Sequence, residues 1–232
     1  MAERKQANHD FFSEWSPRMA YVLGFFAADG TMTKTKRGGK YIAFHITDKE
    51  LLEDIRLLME SEHKIAVRVR DPRWKLGYRM QIGSKKLFDD LTSFGFTPNK
   101  SNSLNLPNIP QEYFGEYVRG YFDGDGCVYY NEVQFSDRKN KKHVLQVRFT
   151  CGDRGYLENF LKIMHVVARL TGGSVFQKHK KQAFELVFSQ RDCLALYAFM
   201  YNNTQTCGVR LERKFEKFTH AIRIMYKDAV VA

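Results

Sequence analysis

The chain has 232 residues, 44% of them hydrophobic, a formal net charge of +11 and a pI near 9.4. This composition excludes a disordered chain and allows one large domain or two small ones with a real core. The positive charge favours a polyanionic partner, either nucleic acid or an anionic membrane. Membrane insertion is not expected, because no apolar run reaches the roughly 18 residues of a spanning helix.

The ends and the cysteines of the sequence set further expectations. Residues 1–10 have neither the apolar stretch of a signal peptide nor the acid-poor composition of a transit peptide. Because there is no C-x-x-C pair, the signal for a zinc site is weak. We therefore expect reduced, mostly buried thiols at all four cysteines, Cys127, Cys151, Cys193 and Cys207.

In the first half, the phrase Tyr-Val-Leu-Gly-Phe-Phe-Ala-Ala-Asp-Gly at residues 21–30 predicts a helix that ends at Asp-Gly. The pattern of apolar residues then predicts, in chain order, a strand, a helix, two strands joined by a turn, and a helix. These elements cover residues 41–48, 49–60, 65–69, 78–82 and 85–94.

The second half repeats the first. Residues 101–112 contain two prolines and are predicted to be a linker. Residues 117–126 then read Tyr-Val-Arg-Gly-Tyr-Phe-Asp-Gly-Asp-Gly, and the same order of elements follows at residues 145–151, 153–164, 174–177, 184–188 and 193–201. We predict an α+β fold in which an α-β-β-α-β-β-α unit occurs twice, over residues 1–100 and 113–232, and the pattern assigns residues to one of the two strands that follow the first helix of each unit.

The two Asp-Gly helix ends are the first candidates for function. A carboxylate at a helix C-terminus is unfavourable, because the helix dipole is negative there. The following glycines, Gly30 and Gly126, fit a left-handed position that ends the helix. Since both halves break the same local rule, a compensating divalent cation is one explanation. The alternative is a pair of packing helices that end in ordinary turns.

Small residues indicate how the two carboxylates come together. Gly24 and Ala28 share one helix face, as do Gly120 and Gly124. Small residues at this spacing let two helix backbones approach closely. If these helices pack on each other, Asp29 and Asp125 become neighbours, and metal or protons must relieve their repulsion. We expect the aromatic residues of both phrases to form core: Phe25, Phe26, Tyr121 and Phe122.

Residues 22–30 and 118–126 resemble the signature of the LAGLIDADG homing endonucleases, in particular the single-chain members with two motifs. The resemblance extends from about residue 17 to residue 218. It implies two pseudo-symmetric αββαββα repeats, a saddle of antiparallel sheets and a central two-helix interface. Two positions depart from the signature. Ala27 stands where an acid is usual, and Arg119 replaces a small residue and is expected to point away from the interface.

The resemblance also implies an activity and a site. The expected activity is a staggered double-strand break in a long, asymmetric DNA target by metal-dependent hydrolysis, catalysed by an intron-encoded monomer. Two or three Mg²⁺ ions are implied, with Mn²⁺ or Ca²⁺ able to replace them for binding. The implied metal ligands are Asp29 and Asp125, with the carbonyls of Ala28 and Gly124. The implied basic residues are Lys100 and Lys214, and Arg213 is the alternative to Lys214. The implied peripheral polar residues are Asp48 and Asp153. For these two acids the alternative is a purely structural role as helix N-caps.

The resemblance implies that residues of the strands recognise the DNA bases, because two-stranded ribbons fit the major groove. Basic and polar residues crowd these segments and are the candidate DNA contacts, although for any single one a solvated surface charge is the alternative. They are Lys34, Lys36, Arg37, Lys40, His45, Arg68, Arg70, Arg73, Arg79, Arg138, Lys139, Lys141, Lys142, Arg148, Lys178, Lys180 and Lys181.

A second hypothesis keeps the scaffold without the cleavage: an RNA maturase or a transcription regulator that binds nucleic acid. Retention of both acids argues against it. The expected location is the cytoplasm of a prokaryote, in association with the nucleoid, or an organelle if the gene is organellar.

Overall fold

The computed structural model describes residues 5–69, 73, 75–98, 104–137, 139–178, 182–202 and 206–226. The first half runs α1 (Pro17–Asp29), β1 (Gly30–Lys34), β2 (Lys40–Ile46), α2 (Lys49–Leu58), β3 (Ile65–Arg68), β4 (Gly77–Gly83) and α3 (Lys85–Ser93). The second runs α4 (Gln111–Asp125), β5 (Gly126–Val133), β6 (Lys142–Cys151), α5 (Arg154–Val167), β7 (Ser174–Gln177), β8 (Phe184–Ser189), α6 (Gln190–Tyr201) and α7 (Glu212–Met225). The predicted repeat is confirmed, and α7 is an addition that the pattern did not predict.

The chain divides into two compact units. The first comprises Met1–Gly124 and Gln205–Arg210, and the second comprises Asp125–Thr204 and Leu211–Ala232. Each unit contains a four-stranded antiparallel sheet, with strand order β1-β2-β4-β3 in the first and β5-β6-β8-β7 in the second. The helix α4 therefore lies almost entirely in the first unit, although its sequence opens the second repeat.

Helix α1 has a well-defined start. The side chain of Ser16 accepts a hydrogen bond from the backbone N–H of Met19, and Pro17 occupies the first turn, where a missing N–H costs nothing. The helix ends at Asp29 and passes directly into β1. All residues of α1 from Met19 to Ala27 are buried.

The prediction that Gly30 and Gly126 adopt a left-handed conformation is wrong. Gly30 has φ −83° and ψ 153°, and Gly126 is not among the described glycines with positive φ. The reason is that each glycine is the first residue of a strand and already has extended backbone. At position 30 glycine is needed for space, since a Cβ there would lie 2.2 Å from the Phe26 ring.

Close packing of α1 on α4 is confirmed within the first unit. A Cβ on Gly24 would lie 2.0 Å from the carbonyl oxygen of Tyr117, and a Cβ on Gly120 would lie 2.0 Å from that of Tyr21. No side chain fits at such distances, so both positions require glycine. The four aromatic residues expected in the core, Phe25, Phe26, Tyr121 and Phe122, are all buried.

One face of each sheet forms core and the other does not. In the first unit Ile42 and Phe44 of β2 are fully buried on the side where α2 and α3 pack. In the second unit Val147 and Phe149 of β6 take the same role beneath α5 and α6. Alternate residues along each strand point to the opposite side, which we call the open face of each sheet. The open face of each unit carries polar and charged side chains.

The cysteines are free thiols, as predicted, but not all are buried. Cys151 and Cys193 are buried, Cys207 is half-buried and Cys127 is exposed. Cys127 is exposed because it lies on β5 opposite Arg148, on the open face.

Candidate active site and nucleic-acid interface

Asp29 is the last residue of α1 and is half-buried. The last turn of α1 contains no basic residue, and neither does the last turn of α4. A Cβ on Gly124 would lie 2.4 Å from the Cβ of Ala28 and 3.4 Å from Oδ2 of Asp29. Glycine at position 124 is therefore needed because Ala28 approaches closely, and the Asp29 carboxylate lies near the same point at the end of α4.

Asp125 is the last residue of α4 and the first residue of the second unit, and it is also half-buried. Among the described residues, no three His, Cys, Asp or Glu side chains form a cluster that could hold a metal ion alone. A carboxylate is a usual ligand of Mg²⁺, which commonly takes one or two protein carboxylates and completes its shell with water and substrate phosphate, so each acid by itself is a chemically suitable ligand. Ala28 and Gly124, whose carbonyls are the further candidate ligands, directly precede the two acids.

The two candidates for the second basic residue differ in placement. Lys214 is buried, with 8% of its surface exposed, on the face of α7 that also buries Phe218 and Ile222. Arg213 is exposed. When a lysine is buried on an apolar helix face, its methylene groups are removed from water and its ammonium group requires a polar environment. Lys100, the candidate of the first half, lies outside the described residues.

Asp48 and Asp153 both occupy N-cap positions, of α2 and α5 respectively. The Asp153 carboxylate accepts a hydrogen bond of 3.0 Å from the N–H of Tyr156, so it is a working cap. The Asp48 side chain makes no capping bond, and its Oδ2 accepts a 3.3 Å bond from the Thr47 hydroxyl. Their peripheral role in a site stays a prediction.

The open face of the first sheet is polar and basic. The register places His45 opposite Arg79, and Arg79 opposite Ala66 on the outer strand. Arg68 lies farther along that outer strand, opposite Gly77. Burial and the nearby charge of Arg68 lower the pKa of Arg79, and its Nε atom is buried without a hydrogen-bond partner. This face therefore holds two neighbouring guanidinium groups.

The open face of the second sheet is organised around Arg148. Its guanidinium donates two bonds, of 3.2 and 2.7 Å, to Oε1 of Gln146 and lies 5.0 Å from the ring centre of Tyr129. Glu185 forms ion pairs with Arg148 at 3.9 Å and with Lys178 at 2.7 Å. Glu185 and Tyr129 were not among the predicted contacts. Alternation along residues 184–188 places Glu185 on this face, but DNA phosphates attract basic groups, so the sequence does not single out an acid as a DNA contact.

The remaining candidate contacts fall into three sets. Lys40 is drawn to the covered face, where it pairs with Asp89 of α3 and lies 5.2 Å from the Phe88 ring centre. Others are exposed at strand ends or in connections: Lys34, Lys36, Arg37, Arg73, Lys139, Lys141 and Lys142. A third set lies outside the described residues: Arg70, Arg138, Lys180 and Lys181.

The expectation that Arg119 points away from the helix interface is wrong. Arg119 is buried, pairs with Glu116 at 2.5 Å, and its guanidinium carbon lies 5.3 Å from the ring centre of Tyr21 on α1. It also donates to the sulfur of Cys207 at 3.3 Å, while the Cys207 N–H donates to Glu116. A buried carboxylate at position 116 holds the guanidinium inside, so it does not face solvent. Through these contacts Cys207 belongs to the first unit.

Sequence comparisons identify the first repeat. The family model of the LAGLIDADG-like domain matches residues 16–93. Two curated proteins of Methanocaldococcus jannaschii are similar: an uncharacterized protein, 22% identical over 51% of this chain, and reverse gyrase, 25% identical over 61%. The alignments cover 42% and 8% of those proteins, so the chain spans less than half the length of either relative.

Solved structures match both repeats. Meganuclease I-SmaMI bound to uncleavable DNA has a TM-score of 0.62 and 12% identity, covering 90% of each chain. LAGLIDADG meganuclease I-AabMI bound to uncleaved DNA has a TM-score of 0.61 and 15% identity, covering 88% of this chain and 89% of the other. The LAGLIDADG homing endonuclease I-LtrWI bound to target DNA has a TM-score of 0.58 and 14% identity, covering 95% and 92%.

No helix within the described parts of the chain is long and apolar enough to cross a membrane. The resemblance drawn from residues 22–30 and 118–126 is confirmed by the family model at the first repeat and by the fold at both. The chain contains a LAGLIDADG-like domain and has the fold of the two-domain LAGLIDADG meganucleases.

Proposed function

We propose that this protein is a site-specific DNA endonuclease that hydrolyses both strands of a long, asymmetric duplex with divalent metal ions, Mg²⁺ in the cell. The observation that carries the proposal is the pair of carboxylates, Asp29 and Asp125, each at the end of one of two helices that pack backbone to backbone. Neither helix end contains a basic residue.

Each residue of the proposed site has a distinct task. Asp29 and Asp125 would hold the metal ions, with the carbonyls of Ala28 and Gly124 as further ligands. Bound metal would supply Lewis acidity at the scissile phosphate and lower the pKa of a bound water. Lys214, and Lys100 in the other half, would place a positive charge against the phosphate oxygens, where negative charge develops. The buried stem of Lys214 restricts the positions that its ammonium group can reach.

The two open faces are the proposed DNA surface. Solved relatives in this fold are described as bound to DNA, and I-SmaMI is described with an uncleaved DNA target in the presence of calcium ions. In this chain, the candidate contacts to base edges and phosphates are Arg68 and Arg79 on one face and Arg148 on the other. The net charge of +11 supports binding that weakens as salt rises.

The test uses a pool of duplexes with randomised sequence. The purified protein selects bound duplexes in Ca²⁺, and the selected sequence is then incubated with Mg²⁺ or with EDTA. We expect two staggered strand breaks in Mg²⁺ and none in EDTA, with the ends located by sequencing. Selective binding without breaks in Mg²⁺ or Mn²⁺ contradicts the endonuclease proposal. Tighter binding of structured RNA than of the selected duplex, in a competition assay, would favour the maturase instead.

A further inference from the structure

The two sheets carry opposite charges at one equivalent position. The equivalence follows from the registers. Gly30 lies opposite Phe44, which lies opposite Met80, and in the second unit Gly126 lies opposite Phe149, which lies opposite Leu186. One residue before Met80 and Leu186, on the open face, stand Arg79 and Glu185.

The neighbours of this position also correspond. Arg79 lies between His45 on the inner strand and Ala66 on the outer strand. Glu185 lies between Thr150 and Phe176 in the same way. The same three strands therefore contribute to each set of three neighbouring residues. The central residue carries a guanidinium in the first sheet and a carboxylate in the second.

Glu185 is held in place and remains open to solvent. Lys178 pairs with its Oε1 at 2.7 Å and Arg148 approaches Oε2 at 3.9 Å, while 19% of the side chain stays exposed. A carboxylate has about four acceptor positions, so these two partners leave it able to accept another donor. The positive charges of Lys178 and Arg148 offset the repulsion between this carboxylate and the DNA phosphates.

We propose that Glu185 is a specificity-determining residue that accepts the 4-amino group of one cytosine in the major groove, while Arg79 donates to a guanine in the other half of the target. The inference rests on the endonuclease function proposed above. Cytosine presents an amino donor, guanine presents only acceptors, and adenine places the N7 acceptor beside its donor. The carboxylate therefore favours cytosine and rejects guanine most strongly.

The experiment compares the duplexes that the wild-type protein and its variants select from a randomised pool in Ca²⁺. Glu185→Gln should lose a cytosine preference of about five- to tenfold at one position and shift it toward adenine, which glutamine pairs with through two bonds. Glu185→Arg should shift the same position toward guanine. Replacing that cytosine by 2-pyrimidinone, which lacks the amino group, should weaken wild-type binding by a similar factor and leave Glu185→Gln unaffected.

Glu158→Gln is the matched control, because Glu158 pairs with Arg154 at 2.7 Å on α5, away from the open face. It removes the same charge and should leave every preference unchanged. The proposal is overturned if Glu185→Gln selects the same sequence as the wild-type protein. This holds even if loss of the negative charge raises the affinity of the variant for all duplexes equally. It is also overturned if a folded Glu185→Gln loses binding to every duplex. Failure of the wild-type protein to select any sequence would instead contradict the proposed function itself.

Discussion

Tyr21 of α1 donates a 2.7 Å hydrogen bond to the carboxylate of Asp123 on α4, and both side chains are buried. Burial first, and then the charge of Asp123, raise the pKa of Tyr21 well above its usual value. In the first motif the position that corresponds to Asp123 is Ala27. The acid retained in only one motif therefore has a structural partner, and this role does not require a metal.

Loss of the Tyr21 hydroxyl should destabilise the helix pair. Tyr21→Phe removes one donor from a buried carboxylate, so we expect the free energy of unfolding to fall by about 1–2 kcal/mol in urea denaturation. Asp123→Asn and the double variant complete a double-mutant cycle. A coupling energy near zero would mean that this bond does not hold the helices together.

The glycines of the helix crossing should not tolerate alanine. Gly120→Ala places a Cβ 2.0 Å from the Tyr21 carbonyl oxygen, so the helices must separate. We expect a loss of about 1–3 kcal/mol in the free energy of unfolding, as for other overpacked sites. Gly155→Ala on α5 is the control, since it is exposed and alanine is the better helix former. Equal effects of the two substitutions would contradict the close crossing.

The buried charges around α4 should depend on each other. Arg119→Met leaves Glu116 buried without its ion pair, so we expect a loss of about 3–5 kcal/mol. Replacing Glu116 by Gln in the same chain should recover part of that loss, because no uncompensated charge remains. Urea denaturation measures both variants. If the double variant is less stable than Arg119→Met, the loss of stability in Arg119→Met does not come from an uncompensated charge on Glu116.

Stability should fall at alkaline pH through Cys207. Burial, and then the charge of Glu116, raise the pKa of this thiol from its ordinary 9.0 to about 12. The folded chain thus keeps the proton longer than the unfolded chain, so the contribution to stability is complete below pH 9 and declines as pH rises toward 12. Urea denaturation across this range should show a shallower decline for Cys207→Ser. Identical slopes would contradict the shifted pKa.

The sequence predicted those parts of the fold that depend on local pattern. Apolar alternation and helical spacing identified β2, β4 and α5 within a few residues, and the glycine spacing predicted the α1–α4 crossing. The extended conformation of Gly30 was not predicted, because Gly30 is the first residue of β1 and the local pattern assigned no strand to that segment. The burial of Arg119 was not predicted, because it depends on the burial of its ion-pair partner Glu116, and Cys207, which contacts both residues, lies far along the chain.

The same contrast between local pattern and tertiary contacts holds for the candidate site. Asp29 and Asp125 were identified from a repeated motif, which needs no knowledge of contacts. Lys40 was predicted to contact DNA because a lysine in a strand region is usually exposed, yet it pairs with Asp89 of α3 on the covered face of the sheet. Glu185 was not selected, since its significance depends on the strand pairing that sets it at the position equivalent to Arg79.

Asp29 and Asp125 are the proposed ligands of the catalytic metal ions. The measurement is the rate of strand cleavage in Mg²⁺ and the affinity in Ca²⁺ for the selected duplex, with Asp29→Asn, Asp125→Asn and, as the control, Asp54→Asn on α2. We predict that each of the first two variants loses at least a hundredfold in cleavage rate, as expected when a charge-stabilising group is removed, while the folded variants still bind the duplex. The control should cleave like the wild-type protein. Cleavage at the wild-type rate by either Asp29→Asn or Asp125→Asn would contradict the account.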